Sequence, residues 1–174
     1  FNRSPCKYVI AIFIKPFRTR TRRISMQQTQ VMFYLLNDLS SSDADTDSLE
    51  YHACKQAAYF YRQNKKVFIF CKNQSHAHAI DEILWAFDAN SFVPHNLTGE
   101  GPSYGSAVEI GWQVPNGRRP VLINLTDTMP PFSSQFSSII DFVPTDEALK
   151  QKARERFKQC RQLGFGIHNQ AVPS

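Results

Sequence analysis

Five short apolar runs punctuate the chain, and amphipathic segments separate several of them. VMFYLLN (Val31 to Asn37), VFIFC (Val67 to Cys71), AVEIGW (Ala107 to Trp112), VLINL (Val121 to Leu125) and IIDFV (Ile139 to Val143) are rich in β-branched and aromatic residues. Their length and near-continuous hydrophobicity predict strands buried on both faces. Residues 49 to 64 repeat apolar side chains at helical spacing, in Leu49, Ala53, Ala57 and Phe60, after a polar loop in which Asp47 or Ser48 suits the N-cap. Ser75 to Phe87 predicts a second helix with Ala79, Ile83 and Leu84 facing the core. A third runs from a Thr145 cap, with Asp146 and Glu147 in its first turn, to about Leu163, and stops at Gly164. Strands alternating with helices at these lengths predict an α/β sandwich around a mainly parallel sheet, in one domain without repeats.

Charge changes the picture once it is split along the chain. The 174 residues carry a net charge of +5, yet residues 1 to 25 hold seven of the 20 basic residues and none of the 15 acidic ones. From Met26 onward the net charge is −2. A generally basic nucleic-acid surface is therefore not supported, any DNA contact is expected to be mostly indirect, and only a local patch remains open. Tyr8 to Ile14 is too short to span a bilayer, which needs about 20 apolar residues. The basic flank KPFRTRTRR does not suit a signal peptide, and an amphipathic anchor is the alternative. Residues 1 to 25 read as a non-native or disordered extension, and residues 26 to 174 as the domain. Cys6, Cys54, Cys71 and Cys160 form no CxxC pair, which fits reduced cysteines in a cytoplasmic protein.

Candidate chemistry is sparse. LTGEGPSYG places glycines at 99, 101 and 105, one residue too long for a dinucleotide fingerprint, after no evident strand and before no helix. A small nucleotide-binding enzyme using the Gly99–Gly105 loop is the alternative reading, against an ordinary tight loop. Cys54, Cys71, His76 and His78 lack the paired spacing of a zinc site, so neither metal nor cofactor is expected. His95 lies near Glu100, but no serine or cysteine is placed to complete a triad.

The third predicted helix is more informative. Lys150, Arg154, Lys158 and Arg161 fall within a sector of about 80° by helical geometry, with Phe157 at its border. No acidic side chain stands at i+4 from Lys150, Arg154 or Lys158. Such a stripe is either a solvated face or a site for an acidic peptide with an apolar end. Trp85 and Phe92 are either core aromatics or interface anchors, and Trp85 sits one position beyond the Ile83–Leu84 core step, towards the helix flank.

DEILW, SFVPHNL, GEGP and VEI, followed by DFVP and LKQKARERFK, occur in the order found in the chi subunit family of bacterial DNA polymerase III, which the chain resembles from about Gln30 to Gly166. The resemblance implies a three-layer, Rossmann-like fold without a nucleotide site, and a non-catalytic adaptor in the clamp loader. Its implied partners are the psi subunit and the acidic C-terminal tail of single-stranded DNA-binding protein, a tail that ends in phenylalanine. It also allows a DNA helicase to take the place of psi. Carried over by motif, the tail site uses Lys150, Arg154, Phe157 and Lys158, walled by Val143, Gly164 and Phe165. The psi surface centres on Trp85 and Phe92. Lys152 lies off the stripe and is not assigned to the tail.

Overall fold

The structure is a computed structural model and describes residues 27–36, 48–87 and 92–172. The expected boundary near Met26 and the Asp47 cap candidate lie outside these residues. Seven strands form one sheet: β1 (Gln30–Leu35), β2 (Val67–Phe70), β3 (His95–Leu97), β4 (Val108–Gly111), β5 (Val121–Asn124), β6 (Ser138–Val143) and β7 (Gly166–Ala171). They are ordered β3-β4-β2-β5-β6-β1-β7. Every neighbouring pair is parallel, so the sheet is wholly rather than mainly parallel. The five predicted strands are present, with ends shifted by a residue or two.

Strands β3 and β7 were not expected. Their sequences, HNL and GIHNQA, lack an apolar run. Each lies at an edge of the sheet, where one side of the backbone ladder and part of each face meet solvent, so polar residues are tolerated.

Helices α1 (Leu49–Arg62) and α2 (Gln74–Ala86) cover one face, and α3 (Glu147–Gln162) covers part of the other. Alternation within the strands divides the core between the layers. Val67, Ile69, Val121 and Ile123 point to the α1–α2 side, whereas Phe68 and Leu122 join Val31, Phe33, Ile139 and Cys160 beneath α3. In α2 the buried positions are Ala77, Ile80 and Leu84, and the expected core residue Ala79 is exposed. The buried stripe is therefore set by the i, i+3, i+7 series from Ala77 rather than by the series through Ala79.

Local capping follows the chemistry of short polar side chains. Ser48 Oγ accepts from Tyr51 N at 3.1 Å, and Asn73 Oδ1 accepts from His76 N at 2.9 Å. Helix α3 is capped by Asp146 and not by the expected Thr145: Asp146 Oδ1 accepts from Leu149 N at 2.9 Å. At its other end Gly164 adopts φ +72°, the left-handed conformation that ends a helix.

One buried ion pair fixes α3 to the sheet. Arg156 donates from Nε to Asp141 Oδ2 and from Nη2 to Asp141 Oδ1, both at 2.8 Å, and from Nη2 to Phe142 O at 3.0 Å. Burial pushes the Asp141 carboxyl up, against the opposing charge and hydrogen bonds of Arg156 and the bonds from Asn124 and Phe142 N. Because Arg156 lies next to Phe157 and two residues from Arg154, this pair also sets the rotation of the helix face discussed next.

Candidate functional site

Five of the seven expected tail-site residues converge. Val143 of β6 and Lys150, Arg154, Phe157 and Lys158 of α3 line a cavity of about 520 Å³ between the helix and the end of the sheet. The strand period also brings Phe33 and Leu35 to this face, since they are two apart on β1. Phe157 packs on Phe33 with ring centroids 5.6 Å apart. Arg161 and Asn169 complete the lining. Arg161 was legible as part of the stripe, whereas Asn169 was missed together with its strand.

Gly164 and Phe165 are not among the lining residues. Gly164 terminates the helix, and Phe165 is half-buried against the core beneath α3, with its N–H bonded to Cys160 O at 3.1 Å. Lys152 points elsewhere, to Asp127 Oδ2 at 2.7 Å, as its position on the helical wheel indicates.

The stripe is not uncompensated. Glu147 reaches Arg154 Nη1 at 2.7 Å and Lys150 Nζ at 3.7 Å, while Glu155 meets Lys158 Nζ at 2.9 Å. These partners stand at i−3 and i−7, so the absence of acidic residues at i+4 did not describe the pairing. The hydrogen bond and charge of Arg154 hold the Glu147 carboxyl below its usual range. Arg154 and Glu147 side chains remain 53% and 72% exposed, and pairs so solvated contribute little. An incoming carboxylate can replace Glu147 at small cost.

A second surface lies at the opposite edge. Trp85 and Phe92 are 63% and 64% exposed, with ring centroids 5.7 Å apart. His95, from β3, packs edge-on to Trp85 at 5.0 Å, and its Nδ1 donates to Val93 O at 2.7 Å. That bond to a carbonyl requires the proton on Nδ1. Nε2 lies 3.4 Å from Asp81 Oδ1 without hydrogen-bond geometry, so the neighbour of His95 is Asp81 rather than the expected Glu100. His95 acts as a backing for the two aromatics. The sequence singled out His95 only beside Glu100, and this backing role was missed because β3 carries no hydrophobic pattern.

The glycine loop does follow a strand, β3, contrary to expectation, but it opens no helix. Gly99, Gly101 and Gly105 all have positive φ. Asn96 fills the turn: its Nδ2 donates to Leu97 O and Glu100 O, and its Oδ1 accepts from Ser106 N. A Cβ on Gly101 would stand 3.0 Å from Asn96 Cγ. Arg119 closes the far side, donating to Ser106 O and pairing with Glu109 at 2.7 Å. The loop interior is occupied by its own side chains.

Of the residues weighed for metal, Cys54 and Cys71 are buried, and burial pushes both thiols up, Cys71 to about 12. His76 instead meets Glu50 at 3.5 Å. Among the described residues no group of three His, Cys, Asp or Glu could hold a metal ion, and no helix is long and apolar enough to cross a membrane.

The architecture defines a three-layer, Rossmann-like α/β sandwich with a parallel sheet. It is similar to the crystal structure of T4 UvsW, with a TM-score of 0.54 at 10% identity, covering 84% of this chain and 42% of that one; at this identity the likeness concerns the fold alone. A family model described as DNA polymerase III chi subunit, HolC, matches residues 28–168. The DNA polymerase III subunit chi of Haemophilus influenzae is 45% identical over 142 residues, covering 80% of this chain and 95% of that protein. Its namesake in Escherichia coli K12 is 43% identical over 138 residues, covering 78% and 93%. The chain belongs to the DNA polymerase III chi subunit family. It is thus an accessory subunit in DNA replication, not catalytic by itself.

Proposed function

We propose that the chain is an adaptor that joins the psi subunit of the clamp loader, on the Trp85–Phe92 surface, to the acidic C-terminal tail of single-stranded DNA-binding protein, on α3. The observation that carries this reading is the cavity itself. Its floor is apolar, in Phe33, Leu35, Val143 and Phe157, and its rim is cationic, in Lys150, Arg154, Lys158 and Arg161. A terminal phenylalanine fits the floor, and its free carboxylate fits the Arg154 fork, which accepts a carboxylate in bidentate geometry. Upstream acidic residues are steered by the remaining cations.

The sheet order supports simultaneous occupancy. The tail cavity borders β6, β1 and β7, whereas Trp85 and Phe92 flank β3, five strand intervals from β1 at the cavity's centre. At about 4.8 Å per interval the two surfaces lie roughly 24 Å apart, so two ligands need not collide. Two weak contacts then reinforce each other through linkage. The reading places the protein at the cytoplasmic replisome.

The test is a titration of a fluorescent acidic tail peptide, with and without its terminal phenylalanine, at two salt concentrations. Binding should weaken with salt, vanish without the phenylalanine, and be lost in Arg154→Glu. Undiminished binding by Arg154→Glu would reject this site.

A further inference from the structure

A second groove lies on the opposite face of the β1–β7 edge and belongs to neither surface above. Helix α1 covers the middle of the sheet, and among the described residues the outer strands are left open on this side. The register pairs Tyr34 of β1 with Gln170 of β7, and both face the groove. From α1 come Tyr51, Lys55, Gln56, Tyr59 and Arg62, and Phe87 closes one end. The cavity measures about 580 Å³, within the range of about 300–1,000 Å³ that takes small organic groups.

Two features of this lining point to one kind of ligand. Its rings are numerous and accessible: Tyr59 is more than half exposed, and Tyr51 and Phe87 stand together with centroids 5.2 Å apart. Its charges are of one sign, since Lys55 and Arg62 line it and no carboxylate does among the described residues. Gln56 hydrogen-bonds the Tyr34 phenol through its side chain, which adds a polar pair to the lining. Burial, then the neighbouring Tyr59, pushes the Tyr34 phenol up, so its hydroxyl stays neutral at physiological pH.

We infer that the groove between α1 and the β1–β7 edge binds single-stranded DNA, with bases against Tyr51, Tyr59 and Phe87 and phosphates against Lys55 and Arg62. Aromatic platforms beside cations hold single strands because every base has a π-face and every linkage a negative charge. The Gln170 amide faces base edges. The residues from Met26 onward carry a net charge of −2, so this is local binding by one groove and not by a basic surface. It is independent of the tail cavity, which opens on the other face of the same strands.

The test uses the full chain and a short fluorescein-labelled oligothymidylate, read by anisotropy. Binding should be saturable at low salt. Tyr59→Ala should weaken it at least about fivefold, the value of about one stacked base. Tyr59→Phe should retain it. Lys55→Glu should weaken it and reduce the salt slope by about 0.7 for one lost phosphate contact. Arg154→Glu should leave it unchanged, and thermal melts of each variant establish that it is folded. The inference is overturned by an absence of binding at low salt. It is equally overturned by binding indifferent to both Tyr59→Ala and Lys55→Glu, which would trace the interaction to the basic residues between Arg3 and Arg23. Side-chain NMR gives a second readout: oligothymidylate should shift Tyr51, Tyr59 and Phe87, whereas shifts there from an acidic peptide and not from DNA would refute the assignment.

Discussion

The Asp141–Arg156 pair offers the sharpest test of how α3 is held. In Asp141→Ala the Arg156 guanidinium, 6% exposed in the native protein, loses its carboxylate. Among the described residues, only two backbone carbonyls, Phe142 O at 3.0 Å and Asp127 O at 3.3 Å, would remain to it. Leaving a charge buried without its partner costs about 3–5 kcal/mol. A domain of this size has about 5–15 kcal/mol in total, so the loss is a large fraction. With a urea dependence of about 1–3 kcal/mol per molar, the unfolding midpoint should fall by at least about 1 M. Replacing both members, Asp141→Leu with Arg156→Met, removes the desolvation cost along with the attraction. That variant should be neutral or more stable than the native protein by about 1–4 kcal/mol. Urea melts of Asp141→Leu, Arg156→Met, the double variant and the native protein close the cycle. The reasoning is refuted if Asp141→Ala costs less than about 1 kcal/mol, or if the double variant is as unstable as the single one.

Trp85→Ala and Phe92→Ala remove rings that are mostly solvated, so unfolding midpoints should barely move while psi affinity, measured by calorimetry, falls by about 2 kcal/mol or more each. Gly101→Ala should destabilise more than Gly99→Ala in thermal melts: both have positive φ, worth about 1 kcal/mol or more, but only at Gly101 does the new Cβ meet Asn96. Cys54, Cys71 and Cys160 should resist a thiol reagent until the protein unfolds, as burial pushes each thiol up, Cys71 and Cys160 to about 12; prompt labelling of any of them in peptide maps would contradict that packing. The Asp127 carboxyl is lowered by its hydrogen bonds from Lys152 and then Lys72. Its contribution is present above the unfolded value of about 3.9 and is lost as pH falls through the folded one. Asp127→Asn should therefore narrow the stability difference between pH 5 and pH 2.5, by less than about 1 kcal/mol because the pairs are exposed.

The central strands and all three helices were legible in the chain because their signals are local. VFIFC and IIDFV can only be buried on both faces, and the spacing of Ala53, Ala57 and Phe60 can only place them on one side of a helix. The cationic stripe was legible for the same reason, since helical geometry alone sets it. Edge strands β3 and β7 carry no such signal: HNL and GIHNQA become strands by pairing with β4 and β1, which are distant in sequence. With β7 went Asn169 and Gln170, and with β3 went the backing role of His95. The convergence of Phe33 and Leu35 on Phe157 likewise depends on how helix and sheet are docked, whereas Glu147, two turns from Arg154 on the same helix, lay within reach of helical geometry. Periodicity along one element records which side of it is buried, but what lies opposite is decided when the buried sides meet. The sequence alone thus determined the five inner strands, the three helices and the family, while the tertiary structure decided the edge strands, that an apolar floor and a cationic rim form one cavity, and that a second groove lies behind it.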